Sequence, residues 1–252
     1  QEVALQGLPV RLCLDRAGLV GGDGAVHHGF CDVALLRTLP GAVLTAAIDE
    51  PSLKAALEFM RTCDRGLSAV RYPRDNVSDR LAALPCPPFE VGRARCLTPK
   101  FDGLENCDSP TIELPDVAVL AFGTIAITAL AATEALSGDM GVAVYDARFA
   151  KPVDRALIRA LLARGIPIVT VEDHSLIGGF GSAVLEAAQD MGLNTVPISR
   201  MGLPDSWVYQ DSRAKQLAEV GLDQPGLTRV IRAAAAGPDH VDSLGSASVV
   251  QG

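Results

Sequence analysis

Apolar runs of strand length alternate along this chain with stretches in which apolar residues recur every three to four positions, the signature of strands alternating with amphipathic helices. Residues 8–14 read as a buried strand, followed by a glycine-dense loop. A short helix is expected over 32–39, stopped by Pro40-Gly41, with the next strand over 41–47. Asp49-Glu50-Pro51-Ser52 carries N-terminal helix signals, and Leu53, Ala56, Leu57 and Met60 follow at amphipathic spacing. A strand over 67–72 ends at Pro73 and leaves Arg74 just past its carboxyl end. Between 80 and 116 the pattern dissolves into proline-rich and mixed polar sequence, apart from a possible strand at 91–97. Alternation then resumes: strand 117–122, helix 125–136, strand 141–145, helix 153–163, strand 167–171, helix 182–189, strand 195–199, and two helices near Arg213 and Leu227.

Such alternation implies right-handed crossovers and parallel pairing. The expectation is an α/β chain with two consecutive, mainly parallel open sheets and helices on both faces. Its divisions are a first domain over 1–85, a linker over 86–115, a second domain over 116–236, and a flexible tail over 237–252. A length of 252 residues suits two domains at about 150 residues each as a soft prior. No run of about 18 apolar residues occurs, so no membrane partner is expected.

Charge narrows the partners further. A net charge of −8 argues against a nucleic-acid surface, which needs clustered Lys and Arg. Through Pro99 eleven basic residues balance eleven acidic ones, whereas from Lys100 onward eleven basic face nineteen acidic, so the acid excess lies wholly in the second part. The six cysteines form no CxxC pair, and several sit in apolar surroundings, as in a reducing, cytoplasmic protein. Gln1–Gln6 reads as the tail of a helix already under way, so the expectation is the C-terminal part of a longer protein.

Chemistry concentrates in the loop from Asp15 to Gly29, which carries five glycines, Arg16, two carboxylates (Asp15 and Asp23) and two imidazoles (His27 and His28). A loop leaving the carboxyl end of a parallel strand is where open α/β sheets bind ligands. Arg16 and Arg74 leave two different strand ends, and two planar guanidinium forks there could clamp one phosphorylated substrate; surface ion pairing is an equal alternative. Asp23 and His27 are close enough to meet, and an imidazole with a pKa near about 6.5 is the usual proton carrier at neutral pH. Gly22-Asp23-Gly24 lacks the Asn-rich partner a cation motif would need, so no metal site is assigned. Gly178-Gly-Phe-Gly181 before a helix could bind an anion, but a structural turn is favoured. Glu172, Asp173 and His174 have no serine elbow beside them and are assigned to a domain interface.

DRAGLVGGDGAVHHG (15–29), LLRTLPGAV, RYPR (71–74), VAVLAFGT (117–124), DARFAKPVD (146–154), VTVEDHSLIGGFGSAVLE (169–186) and GLPD (202–205) together resemble the 1-deoxy-D-xylulose-5-phosphate synthases of the transketolase superfamily. The likeness runs in order from about Gly7 to Ala236, and the first motif is its most specific part. It implies a transketolase-like pyrimidine-binding domain, incomplete at its N-terminus, followed by a transketolase C-terminal domain, with residues 102–115 as an insertion the family does not require.

The resemblance further implies a transferase that condenses pyruvate with glyceraldehyde 3-phosphate, releasing carbon dioxide and giving a precursor of isoprenoids, thiamine and pyridoxal. The cofactors would be thiamine diphosphate and Mg2+, with ligands mainly upstream and none assigned in this chain. By resemblance Arg16 and Arg74 hold the substrate phosphate, Asp23 binds substrate hydroxyls, and His27 assists binding and proton movement. Val26 stands where the family usually has Thr, and His28 occupies a variable position. A homodimer is implied, and the chain by itself is expected to be inactive. Two alternatives remain: a β-type subunit of a split transketolase or 2-oxo-acid dehydrogenase, and a non-catalytic assembly module.

Overall fold

The structure is a computed structural model that describes residues 1–104, 113–237 and 249–251. A single helical turn, α1 (Glu2–Leu5), precedes strand β1 (Arg11–Leu14). Then come α2 (Asp32–Leu36), β2 (Val43–Ala46), α3 (Glu50–Thr62) and β3 (Ser68–Arg71). Helix α3 starts where the sequence signals it: Asp49 accepts from the Ser52 amide while the Ser52 hydroxyl accepts from the Asp49 amide. The segment after β3 holds β4 (Arg95–Cys96), shorter than the strand expected over 91–97.

The second half supplies β5 (Val117–Phe122), α4 (Ile125–Leu136), β6 (Val142–Asp146), β7 (Phe149–Lys151), α5 (Arg155–Ala163), β8 (Ile168–Ser175), α6 (Phe180–Asp190), β9 (Ile198–Leu203), α7 (Arg213–Glu219), α8 (Gln224–Ala236) and β10 (Val249–Gln251). Strand β5 and helix α4 coincide with expectation. Strand β8 runs four residues past the expected end at 171, and β9 lies further along than 195–199. Most of the tail expected to be flexible, and the centre of the supposed insertion at 102–115, lie outside the described residues. Near the end of that tail, β10 pairs antiparallel with β9.

The strands form two sheets, of order β1-β3-β2-β7 and β10-β9-β8-β5-β6-β4. Strands β1, β3 and β2 are mutually parallel, as are β9, β8, β5 and β6; the antiparallel strands β7, β4 and β10 stand at edges. This is the doubled, mainly parallel architecture the alternation predicts. Strand β5 shows why it reads as continuously apolar. Val117, Val119 and Ala121 pack toward α4 and α8, while Ala118, Leu120 and Phe122 pack toward α5 and α6, so both faces are covered.

The sheets are not independent. Strand β7 comes from the second half of the chain yet pairs with β2, and Leu44, Ala46 and Ala69 of the first sheet share a core with Phe122, Tyr145 and Phe180. This junction brings the carboxyl ends of β1 and β3 up against the end of β8, and the site lies there.

Candidate functional site

The glycine-dense loop is pinned at its base. The Ala17 amide donates to Tyr72 O (3.0 Å), just past β3, while the Gly29 amide donates to Arg16 O and the Gly18 amide to Gly29 O. Any side chain at Gly29 would run into the Arg16 carbonyl. Closing the base this tightly forces Arg16 to φ 59°, a left-handed conformation that costs a non-glycine residue about 1 kcal/mol or more. The strained turn aims its guanidinium across the mouth of the loop.

There it meets the other candidate residues. Arg16 Nε lies 3.4 Å from Asp23 Oδ2, and Arg74 Nη1 lies 3.3 Å from Asp23 Oδ1, so one carboxylate sits between two guanidiniums brought from different strand ends. Arg16 also pairs with Asp15. The arginine side chains remain 43% and 57% exposed, open to an incoming ligand. Exposed ion pairs of this kind contribute only about 0.2–1 kcal/mol each, so exchanging the carboxylate for a more highly charged anion is favourable. His27 meets Asp23 through the backbone: its Nδ1–H donates to Asp23 O (2.9 Å), which leaves Nε2 without a protein partner among the described residues. Val26, beside it, is exposed. A cleft of about 310 Å3 lined by Ile48, Asp49, Tyr72, Pro73 and Asn76 opens along the same strand ends.

His28 has a different task. Its Nδ1 accepts from the Val20 amide (3.2 Å) and its Nε2–H donates to Val208 O (3.0 Å), which ties the loop to the second half of the chain. Three further residues do the same, and the sequence pattern marks them only faintly. Gln216 accepts from the Gly21 amide (2.8 Å), Gln210 donates to Gly22 O (2.6 Å), and Arg213 donates to Leu19 O (2.9 Å). The only hint in the sequence is the polar run Gln210-Asp-Ser-Arg213 before a helix.

Glu172, Asp173 and His174 lie buried near the carboxyl end of β8. Asp173 accepts from the Leu19 amide (3.0 Å), and His174 Nε2 accepts from the Val33 amide (3.2 Å), so two of them join the halves of the chain. Glu172 accepts from the amides of Phe180 (2.6 Å) and Gly181 (2.8 Å). The helix N-terminus at Gly178–Gly181 therefore already holds an anion, the protein's own. Burial raises the Glu172 carboxyl to a pKa of about 7 against the opposing pull of those amides, and burial together with the Arg71 charge lowers His174 to about 4.

The Glu172 shift has a measurable sign. The folded state binds this proton more tightly than the unfolded chain, so the stability it contributes is present below about pH 4.5 and is lost as pH rises toward 7. Glu172→Gln removes that slope. In urea titrations the stability of the parent relative to the variant is expected to fall by about 2–3 kcal/mol from pH 5 to pH 8. A difference independent of pH would show that Glu172 titrates normally.

Among the described residues no three His, Cys, Asp or Glu side chains lie close enough to hold a metal ion. Asp49 caps α3 and Glu50 pairs with Lys54. The free cysteines at 13 and 31 are exposed, unlike the apolar setting expected for several of the six, and Cys107 lies outside the described residues. No described helix is long and apolar enough to cross a membrane.

Comparison with known proteins follows the same division. Residues 1–79 match the transketolase pyrimidine binding domain and residues 112–227 the transketolase C-terminal domain. A split-gene transketolase solved as an inactive β4 tetramer superposes with a TM-score of 0.72 at 25% identity, over 93% of this chain and 69% of that one. The transketolase of Leishmania mexicana superposes at 0.63 with 19% identity, over 93% of this chain and 31% of that one. The fold is of the transketolase type.

Sequence relatives narrow the class. The chain is 43% identical over 235 residues to the 1-deoxy-D-xylulose-5-phosphate synthase of Anaeromyxobacter dehalogenans, and 39% identical over 232 residues to 1-deoxy-D-xylulose-5-phosphate synthase 1 of Geobacter metallireducens. Each alignment covers 92% of this chain and 35% of the relative, so the chain spans about a third of the length of those proteins. The chain thus carries both transketolase domains and is similar to 1-deoxy-D-xylulose-5-phosphate synthases over 92% of its length.

Proposed function

We propose that this chain forms the acceptor-phosphate part of a 1-deoxy-D-xylulose-5-phosphate synthase site. In the active protein that contains it, pyruvate and glyceraldehyde 3-phosphate condense with loss of one carbon dioxide to give 1-deoxy-D-xylulose 5-phosphate. The observation that carries this reading is the convergence of Arg16 and Arg74 on Asp23. Their forks suit phosphate oxygens. A phosphate seated between them releases the Asp23 carboxylate, which becomes free to accept hydrogen bonds from acceptor hydroxyls. His27, its tautomer set by the Asp23 carbonyl, presents Nε2 to hold or pass a proton at the aldehyde oxygen.

Thiamine diphosphate, which the family relationship implies, supplies the carbanion equivalent of decarboxylated pyruvate. The residues described here do not fit it or its Mg2+: no metal-binding cluster is present among them, and Glu172 fills the helix N-terminus at Gly178–Gly181. No residue of this chain is assigned to either, and the 252-residue chain alone is expected to give no turnover. A cytoplasmic homodimer is the assembly we propose.

The superposition on a split-gene transketolase supports a second reading, a β-type subunit that transfers a two-carbon unit between sugar phosphates. The two readings differ in products. Supplied with pyruvate and glyceraldehyde 3-phosphate, the active protein is expected to release carbon dioxide and form the five-carbon product in equal amounts. Turnover of a ketose phosphate donor with no carbon dioxide from pyruvate would favour the second reading and end the first.

A further inference from the structure

The two phosphate-facing arginines stand on arms joined at their base, where the Ala17 amide donates to Tyr72 O (3.0 Å); beyond that bond the loop runs on through Leu19 and the strand arm through Asp75. Arg16 lies three residues before Leu19, and Arg74 lies one residue before Asp75. A single guanidinium from the second half of the chain grips both arms. Arg213 Nε donates to Leu19 O (2.9 Å), Nη1 to Asp75 Oδ2 (2.8 Å) and Nη2 to Asp173 Oδ2 (2.5 Å), and its side chain is only 17% exposed. The third contact matters because Asp173 is itself anchored, accepting from the Leu19 amide and packed so tightly on Gly18 that a side chain there would overlap its carboxylate. All three nitrogens of one rigid fork are thus spent on the loop arm, the strand arm and the sheet end between them.

We propose that Arg213 is the positioning residue that, together with the Ala17–Tyr72 bond at the base, fixes how Arg16 and Arg74 are set relative to each other, so that the start of α7 acts as a splint for the phosphate site. This rests on the reading that Arg16 and Arg74 bind the acceptor phosphate. Bidentate recognition of phosphate demands a set spacing, and a site held about 1 Å out of place loses much of its effect. Gln216, fully buried, and Gln210 brace the same loop two and three residues beyond Leu19, so the loop cannot supply the adjustment if the splint is removed.

The test compares glyceraldehyde 3-phosphate with unphosphorylated glyceraldehyde as acceptors, in the active protein that contains this chain. Arg213→Met is expected to lower the ratio of the two kcat/KM values about tenfold, the loss residing in the KM for the phosphorylated acceptor, with the KM for pyruvate changed less than about twofold. Asp75→Asn, which takes the negative charge from one of the three Arg213 contacts and leaves the other two intact, is expected to lower the ratio about threefold and serves as the test if Arg213→Met does not fold. Arg74→Ala lowers the ratio further, and adding Arg213→Met to it lowers the ratio no more, because spacing is immaterial once one arm is gone. If Arg74→Ala discriminates between acceptors while Arg213→Met and Asp75→Asn depress both equally, or if the effects of Arg74→Ala and Arg213→Met multiply, the splint is overturned and the clamp stands. If Arg74→Ala itself leaves the ratio unaltered, the clamp is overturned and the splint with it.

Discussion

On the proposed function, Arg74→Ala in the active protein that contains this chain is expected to raise the KM for glyceraldehyde 3-phosphate about a hundredfold and to leave the KM for pyruvate within about twofold. The size follows from the bonds lost. A guanidinium bound to phosphate makes two charge-assisted hydrogen bonds, each worth about 1.5 kcal/mol at the exposed end of the range, and about 3 kcal/mol corresponds to two orders of magnitude. What Arg74 gives up in the free protein is small, a 3.3 Å pairing with Asp23 from a half-exposed side chain. Alanine therefore sacrifices far more in the bound state than in the free one. Arg74→Lys keeps the charge but not the fork, so it falls between, at about tenfold. Because the site is open to solvent, raising the ionic strength weakens acceptor binding in the parent more than in the alanine variant. Unaltered acceptor kinetics in Arg74→Ala would remove the phosphate assignment.

The sequence separates Arg74 from Arg71 by position alone, Arg71 inside the strand expected over 67–72 and Arg74 just past its end. Both belong to RYPR, and both follow from one strand, but period-two alternation and the turn at Pro73 send them to opposite environments. Arg71 is 4% exposed and ties the chain together, whereas Arg74 is half open and faces the loop. Strand and helix alternation conveys the sheets, because burial on both faces of β5 leaves an unbroken apolar run and burial on one face of α3 a periodic one. It conveys little about where strands end. Strand β8 continues through Glu172, Asp173 and His174 because each finds partners from elsewhere in the fold, and a pattern that treats charge as the end of a buried strand stops at Val171. The antiparallel strands β7, β4 and β10 are two or three residues long and too short to show a period. At the site, the local residues Arg16, Asp23 and His27 stand out in one dense loop. Arg213 and Gln216 act on that loop from nearly two hundred residues away, through a helix start that has no glycine, histidine or motif to distinguish it.

Arg71→Met is expected to destabilise the protein by about 3–5 kcal/mol, the cost of removing one partner from a buried ion pair. Its guanidinium donates to both carboxylate oxygens of Asp32 (2.9 and 3.2 Å), to Gly29 O (2.9 Å) and to Asp173 O (3.2 Å), and lies over the Phe122 ring. One side chain of β3 thus joins the base of the glycine loop, the start of α2 and the end of β8. Methionine fills much of the space and supplies none of the donors, so Asp32 and the Asp173 carbonyl lose the guanidinium and the Gly29 carbonyl keeps only the Gly18 amide. Melting by heat falls on the order of 10 °C for a chain of this length.

A pH series separates lost charge from lost packing. In the parent, His174 is held near pKa 4, first by burial and then by the Arg71 charge, so the stability it contributes is fully present above about pH 6.5 and is lost as pH falls toward 4. Without Arg71 the imidazole gains its proton more readily, 3.6 Å from Asp32 Oδ1, and this acid loss shrinks. Glu172 moves the same way, since Arg71 also opposes its raised pKa; without that cation its carboxylate form costs more at neutral pH. Both effects make the deficit of Arg71→Met largest at pH 7–8 and smaller at pH 5. A deficit that stayed constant between those values would mean that Arg71 contributes through packing alone, and that the buried groups at the end of β8 titrate without regard to it.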